Sequence, residues 1–201
     1  MTSGAAGSTG SVSPRRADTR RNHERILVAA GESLAATGEV SFNAIAKHAE
    51  VGVGTVYRHF PTPEALILAV YEREVRHLVD VVPVLLEKYA PAEAFRVWAT
   101  DHLAHYMMTK RGLADALRAA TASRGELPAS AYEAMVGAVS TLLAATTEAG
   151  VVRADLDPVT VLRGLGGLLH LDPNGQWRRD AAALADLLWR GMAAPGAAAC
   201  D

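Results

Sequence analysis

Cysteine is all but missing from this 201-residue chain, the one thiol being Cys200 beside the C-terminal residue. That excludes a disulfide scaffold and any zinc site built on paired cysteines. Aromatic residues are scarce, at 5% against 50% hydrophobic, so the apolar content is mostly Ala, Leu and Val. Lysine is scarce too: Lys47, Lys88 and Lys110 stand against 17 arginines. With the abundant alanine, that bias is explained by a GC-rich genome and says little about function. Positive charge is not in excess; a formal net charge of −2 excludes a uniformly basic nucleic-acid coat protein. No run approaches the roughly 18 apolar residues that a membrane span needs. The opening MTSGAAGSTGSVSP lacks the apolar stretch of a secretory signal. The expected setting is soluble, reducing and cytoplasmic.

What is present is unevenly distributed. Residues 1–60 carry seven basic and five acidic side chains, whereas the remainder carries 13 basic and 17 acidic ones. A basic end on an acidic body suggests that one end meets a polyanion. Residues 1–17 are Gly, Ser, Thr and Ala with a basic end, expected to be a disordered tail because they bury too little apolar surface to offset chain entropy. Beyond it the periodicity is helical almost throughout. Ile26, Ala30 and Leu34 share a face over 20–37, with Gly38 as the stop. Ser41 reads as the N-cap of a short helix carrying Phe42, Ile45, Ala46 and Ala49. After Glu50-Val51-Gly52 a third helix places Val53, Val56 and Phe60 on one face. Thr62 and Pro63 open a long helix to about Tyr89, with Pro83 expected to kink it. Further helices are expected over 91–109, 111–122, 130–149, from Pro158, and over 178–193, with a turn at Asp172-Pro173-Asn174-Gly175. The fold class is all-α with about nine helices: an N-terminal three-helix unit at 18–62 and a helical body at 63–195.

Two short helices joined by a three-residue turn, behind a first helix with a basic lead-in, form a helix-turn-helix. Such a unit sends its second helix into the major groove. The string FNAIAKHAEVGVGTVYRHF, Phe42 to Phe60, has this layout. It also resembles the DNA-binding domain of the TetR family of bacterial transcriptional regulators, which reads approximately IAxxAGVSxGTLYxHF. Ile45, Ala46, Ala49, Val51, Gly54, Thr55, Tyr57, His59 and Phe60 match that pattern. The likeness is specific over about residues 20–72; TKRGLADALRAA (109–120) is similar to an actinobacterial subgroup. It implies that Tyr57 and His59 bond phosphates. Thr55 offers a hydroxyl to a base edge or phosphate, Arg58 adds charge, and Gly54 lets the backbone approach DNA closely. Ser41, Asn43 and Lys47 would anchor the preceding helix; Arg20 and Arg21 would reach flanking phosphates or the minor groove. Three departures stand out. Glu50 replaces the usual turn glycine, Gly52 the usual cap serine, and Pro63 a lysine often found just inside the fourth helix.

The rest of the chain suggests a small-molecule chamber and a dimer surface. Phe95, Trp98, His102 and Tyr106 recur at three, four and four along 91–109, a stripe that suits a pocket wall, with Leu117, Met135 and Val139 as further lining; the alternative for Phe95 and Trp98 is plain core, which is what aromatic stripes usually are. Leu165, Leu168, Leu184, Leu187 and Leu188, around Gly164, Gly166 and Gly167, are expected at the dimer interface, where the family pairs its last two helices. The expected function is a dimeric, ligand-responsive regulator, a repressor on a palindromic operator read by residues 53–59 and released by a small molecule. No catalytic residue, cofactor or metal is expected in that reading. The alternative is an all-α metal-dependent enzyme or sensor using Asp101, His102 and His105.

Overall fold

The computed structural model describes residues 14–122 and 129–194. These residues form α1 (Pro14–Thr37), α2 (Phe42–His48), α3 (Val53–His59), α4 (Pro63–Lys88), α5 (Pro91–Val97), α6 (His105–Thr109), α7 (Arg111–Thr121), α8 (Ala129–Glu148), α9 (Pro158–Leu165) and α10 (Trp177–Met192). A π-helical segment, Trp98–Ala104, joins α5 to α6 as one rod, and a 3-10 turn, Gly166–His170, extends α9. With the rod counted once, nine helices account for the described residues, as the periodicity predicts. Among the described residues there is one β-bridge, antiparallel, between Val152 and Ala193.

The helix ends follow local chemistry. Ser41 Oγ accepts the Ala44 N–H at 3.4 Å, Thr62 Oγ1 accepts the Ala65 N–H at 3.2 Å, and Asp157 caps α9 ahead of Pro158. Gly38, at φ 72°, ends α1. The expected tail reached residue 17, but α1 begins at Pro14; residues 1–13 and Cys200 lie outside the described residues. The Asp172–Gly175 turn forms as predicted, with the Gly175 N–H on the Asp172 carbonyl at 3.1 Å.

Two cores are stacked along α4. The smaller contains Ile26, Leu34, Phe42, Ile45, Val56, Phe60, Leu66 and Val70, closed by Leu113 and Leu117 of α7. The larger contains Val75, Leu78 and Val82 of α4 with Phe95, Trp98, Leu103, Val139, Leu142, Leu165 and Leu168. One long helix thus supplies both cores, and Tyr71 and Tyr106 pack against each of them. Burial pushes both phenols up; the neighbouring Tyr71 and Glu74 add to the effect at Tyr106.

The π segment changes which residues face inward. The buried positions run Phe95, Ala99, Ala104, Met108, with a step of five where an α-helix would step by three or four. Extending the stripe from Trp98 to His102 assumed an α-helical period, and the face passes to Leu103 instead. Phe95 and Trp98 are fully enclosed, and the Trp98 indole N–H donates to the Leu78 carbonyl at 2.8 Å. These two rings are core. Leu117 belongs to the smaller core, away from Met135 and Val139 in the larger, so the seven predicted pocket residues do not form one wall.

The predicted dimer leucines also divide. Leu165 and Leu168 are fully buried within their own chain and cannot meet a partner; an amphipathic arc alone does not tell an internal face from an external one. Leu184 and Leu188 are half-buried against Gly167 and Gly164, where a Cβ would meet them at 3.2 and 3.1 Å. Those glycines serve the packing of α9 on α10. Leu187 is 68% exposed and Leu169 49%, leaving an apolar strip outside.

Candidate nucleic-acid interface

The helix-turn-helix is held from behind. Ile45 and Ala46 of α2, Val56 of α3 and Phe60 are buried against α1 and the start of α4, so neither short helix depends on its own propensity. Between them Glu50 has φ 50°, the left-handed conformation that the usual glycine takes without strain. Its carboxylate is paired with Arg25 of α1 at 2.7 Å, which ties the turn to α1 and sets a positive charge beside the negative one. That tie between α1 and the turn was not predicted; an acidic residue where glycine is usual was the one available signal.

The outer surface of this frame carries the predicted residues. Arg20, Arg21, Ser41, Asn43, Lys47, Gly54, Tyr57 and Arg58 are exposed, while Thr55 and His59 are half-buried. Tyr57 is 55% exposed, and its ring packs edge-on against Phe42 at 4.7 Å, which fixes the phenol. Arg58 lies back along α3: Nε donates to the Gly54 carbonyl at 3.1 Å and Nη2 to Thr55 Oγ1 at 3.0 Å. Because Thr55 accepts from Arg58, its own proton is available to a base or phosphate acceptor. A Cβ on Gly54 would meet nothing within 4 Å, so the chain's own packing does not demand glycine there. Val53, expected inside, is 39% exposed and joins this outer surface; only Val56 and Phe60 of the predicted face turn inward. Arg21 is paired with Asp18 one turn earlier.

His59 sits against two aromatic neighbours, His23 of α1 at 5.4 Å and Phe60 at 6.2 Å between ring centroids. Its pKa is held below the ordinary histidine range by burial first, then by His23 and Arg58. The neutral ring still offers one N–H to a phosphate. His23 went unnoticed in the sequence, although it stands one helical turn beyond Arg20.

The metal alternative finds no matching geometry. Among the described residues, no three His, Cys, Asp or Glu side chains group where an ion could be held. The wider π turn removes the shared face that His102 and His105 would have three residues apart on an α-helix. His105 contacts Trp177 instead, at 6.1 Å. Among the described residues, no helix is long and apolar enough to cross a membrane.

Residues 26–70 match the family described as bacterial regulatory proteins, tetR family, and residues 90–194 match the SbtR-like transcriptional regulator C-terminal domain. A TetR transcriptional regulator from Streptomyces coelicolor is similar at 38% identity and a TM-score of 0.71, over 85% of this chain and 98% of that one. A TetR transcription regulatory protein from Mycobacterium vanbaalenii is similar at 34% and 0.68, over 90% and 100%. SmeT, the repressor of a Stenotrophomonas maltophilia multidrug efflux pump, shares the fold at 19% and 0.59, over 90% and 94%. Among the curated proteins, none matches this sequence.

Proposed function

The chain belongs to the TetR family of bacterial transcriptional regulators, and on that premise we propose that it is a homodimeric repressor that holds a palindromic operator through α3 and releases it when a small molecule binds. The observation that carries this reading is the outer face of α3. Gly54, Thr55, Tyr57 and Arg58 are presented on a helix whose other face is locked by Val56 and Phe60. Ser41, Asn43 and Lys47 flank it from α2, and Arg20 and Arg21 from α1. In the mode proposed, α3 enters the major groove, Tyr57 and His59 bind phosphates with Lys47 anchoring α2, Thr55 reaches a base edge or phosphate, and Arg58, folded back on Thr55, adds positive charge.

The exposed Leu169 and Leu187, with Leu184 and Leu188 beside them, support a two-fold contact through α9 and α10. That contact sets two copies of α3 about 34–36 Å apart, the repeat of successive major grooves. The domain division proposed is 18–62 for DNA and 63–195 for sensing and pairing. Because α4 carries both cores, a ligand that shifts α4 alters the spacing of the two recognition helices. It does so only as far as it binds the shifted state better. SmeT, a repressor with this fold, supports the sign of regulation.

Selection of DNA from a random pool by the purified protein, followed by footprinting, tests the reading. An inverted repeat with half-sites one helical turn apart, or a multiple of it, is expected. Enrichment of no sequence, or of a single unrepeated half-site, would contradict it.

A further inference from the structure

The first residue of α3 turns an apolar side chain away from the core. Val53 is 39% exposed, whereas Val56 and Phe60 close the same helix against the smaller core. Its chain neighbours, Gly52 and Gly54, are exposed and have no side chain to cover it. Gly52 is the N-cap and gives no side-chain hydrogen bond, and a Cβ on Gly54 would meet nothing within 4 Å. The isopropyl group of Val53 is therefore the leading side chain of the first turn. Tyr57 stands four residues on, along the same strip of the helix, at 55% exposed. In a helix-turn-helix the N-terminal residues of the second helix are the ones that meet base edges.

Each base pair shows the major groove its own pattern of groups, and only thymine shows a methyl group. An isopropyl group neither donates nor accepts a hydrogen bond. Against the amino group of adenine or cytosine, or N7 and O6 of guanine, it strips water from a polar atom and returns no bond. Against the thymine methyl it buries apolar surface on both sides. The side chains that would favour other bases are lacking at this end of α3. The helix holds no asparagine or glutamine to pair with adenine. Its one guanidinium, which would suit guanine, is turned back by the bonds from Arg58 to Gly54 and Thr55. On the regulator reading, on which this rests, we propose that Val53 is a specificity-determining residue that reads the 5-methyl group of a thymine in each half-site.

Operators that lack single methyl groups test this. The full chain is titrated with the selected operator and with copies in which one symmetry-related pair of thymines at a time is replaced by deoxyuridine, the same nucleotide without the methyl. At one such pair the wild type should lose about fourfold in affinity per half-site, about fifteenfold in all, as expected for one buried methyl group at each. Val53→Ala should lose about twofold or less at that pair, so that the two changes are coupled and not additive. Because Val53 is exposed, the alanine variant should keep its circular dichroism and Tm. Val53→Ile retains the apolar reach and should discriminate as the wild type does. A wild type indifferent to every thymine methyl overturns the assignment, and so does a pair whose methyl matters as much to folded Val53→Ala. Either of these results leaves the regulator reading standing, whereas failure to select any operator sinks both.

Discussion

The backbone of Gly112 is pressed against the carbonyl oxygen of Leu34, so closely that a Cβ at Gly112 would lie 2.0 Å from it. The same carbonyl accepts the Gly38 N–H at 2.9 Å, so it is pinned from both sides. Here α7, which follows the π-helical rod, rests on the last turn of α1. Gly112→Ala must push the two helices apart, at a cost of about 1–3 kcal/mol as for other overpacked sites. Urea denaturation should show that loss, and operator affinity should fall with it. An alanine variant of native stability would show that the contact yields easily.

Glu50→Gly should stabilise the protein. A left-handed residue with a side chain costs about 1 kcal/mol or more over glycine. The Arg25 pair offsets little of this, because the Glu50 side chain is 83% exposed and such pairs contribute about 0–1 kcal/mol. The expected net gain is about 0.5 kcal/mol, read as a rise in the denaturation midpoint. A loss of stability would mean that the tie to α1 outweighs the backbone strain.

A chain of charges crosses the joint between the cores. Arg73 meets Glu24 of α1 at 2.6 Å and Glu74 at 3.2 Å, and Glu74 meets Lys110 at 3.6 Å. The Arg73, Glu74 and Lys110 side chains are 20%, 12% and 24% exposed, unlike those of Arg118 and Asp115, at 77% and 67%. Glu74→Gln should therefore cost about 1–2 kcal/mol, whereas Asp115→Asn costs about 0–0.5. Equal effects of the two substitutions on Tm would remove the distinction.

Histidine titration gives the fold a pH slope. Burial holds the His59 and His102 pKa values below the ordinary range; at His102 the Asp101 carboxylate opposes that and His105 adds to it. The unfolded chain takes up these protons near pH 6.5, while the fold resists them. Stability is thus full above that value and is lost as pH falls through it toward the lowered folded values. Tm should decline below about pH 6.5, and His59→Gln with His102→Gln should flatten the decline. Operator affinity should move the opposite way, since a phosphate beside His59 favours the imidazolium. A Tm that rises on acidification would refute the assignment.

The small core and the outer face of α3 were legible in the sequence because local rules fix them. Ser41 and Thr62 cap, Phe42, Ile45, Val56 and Phe60 repeat with the helical period, and Gly54, Tyr57 and His59 sit in a dense motif. The body was less legible. A periodic stripe does not show its own winding, so the π segment carried the face from Trp98 to Leu103 and left His102 at the edge. Nor does an apolar stripe say what covers it: Leu165 and Leu168 pack inward, whereas Leu187 does not. Long-range ties such as Arg25 with Glu50 join residues 25 positions apart, and no local pattern encodes them.

In the function proposed, the outer face of α3 grips DNA. Fluorescence anisotropy with the selected operator, repeated across a salt series for the wild type and for Thr55→Ala with Tyr57→Ala, tests it most directly. The wild type should bind with an affinity that falls steeply with salt. The double variant should lose about tenfold or more in affinity and keep its circular dichroism and dimer mass. A folded double variant that binds the operator as tightly as the wild type would contradict the account.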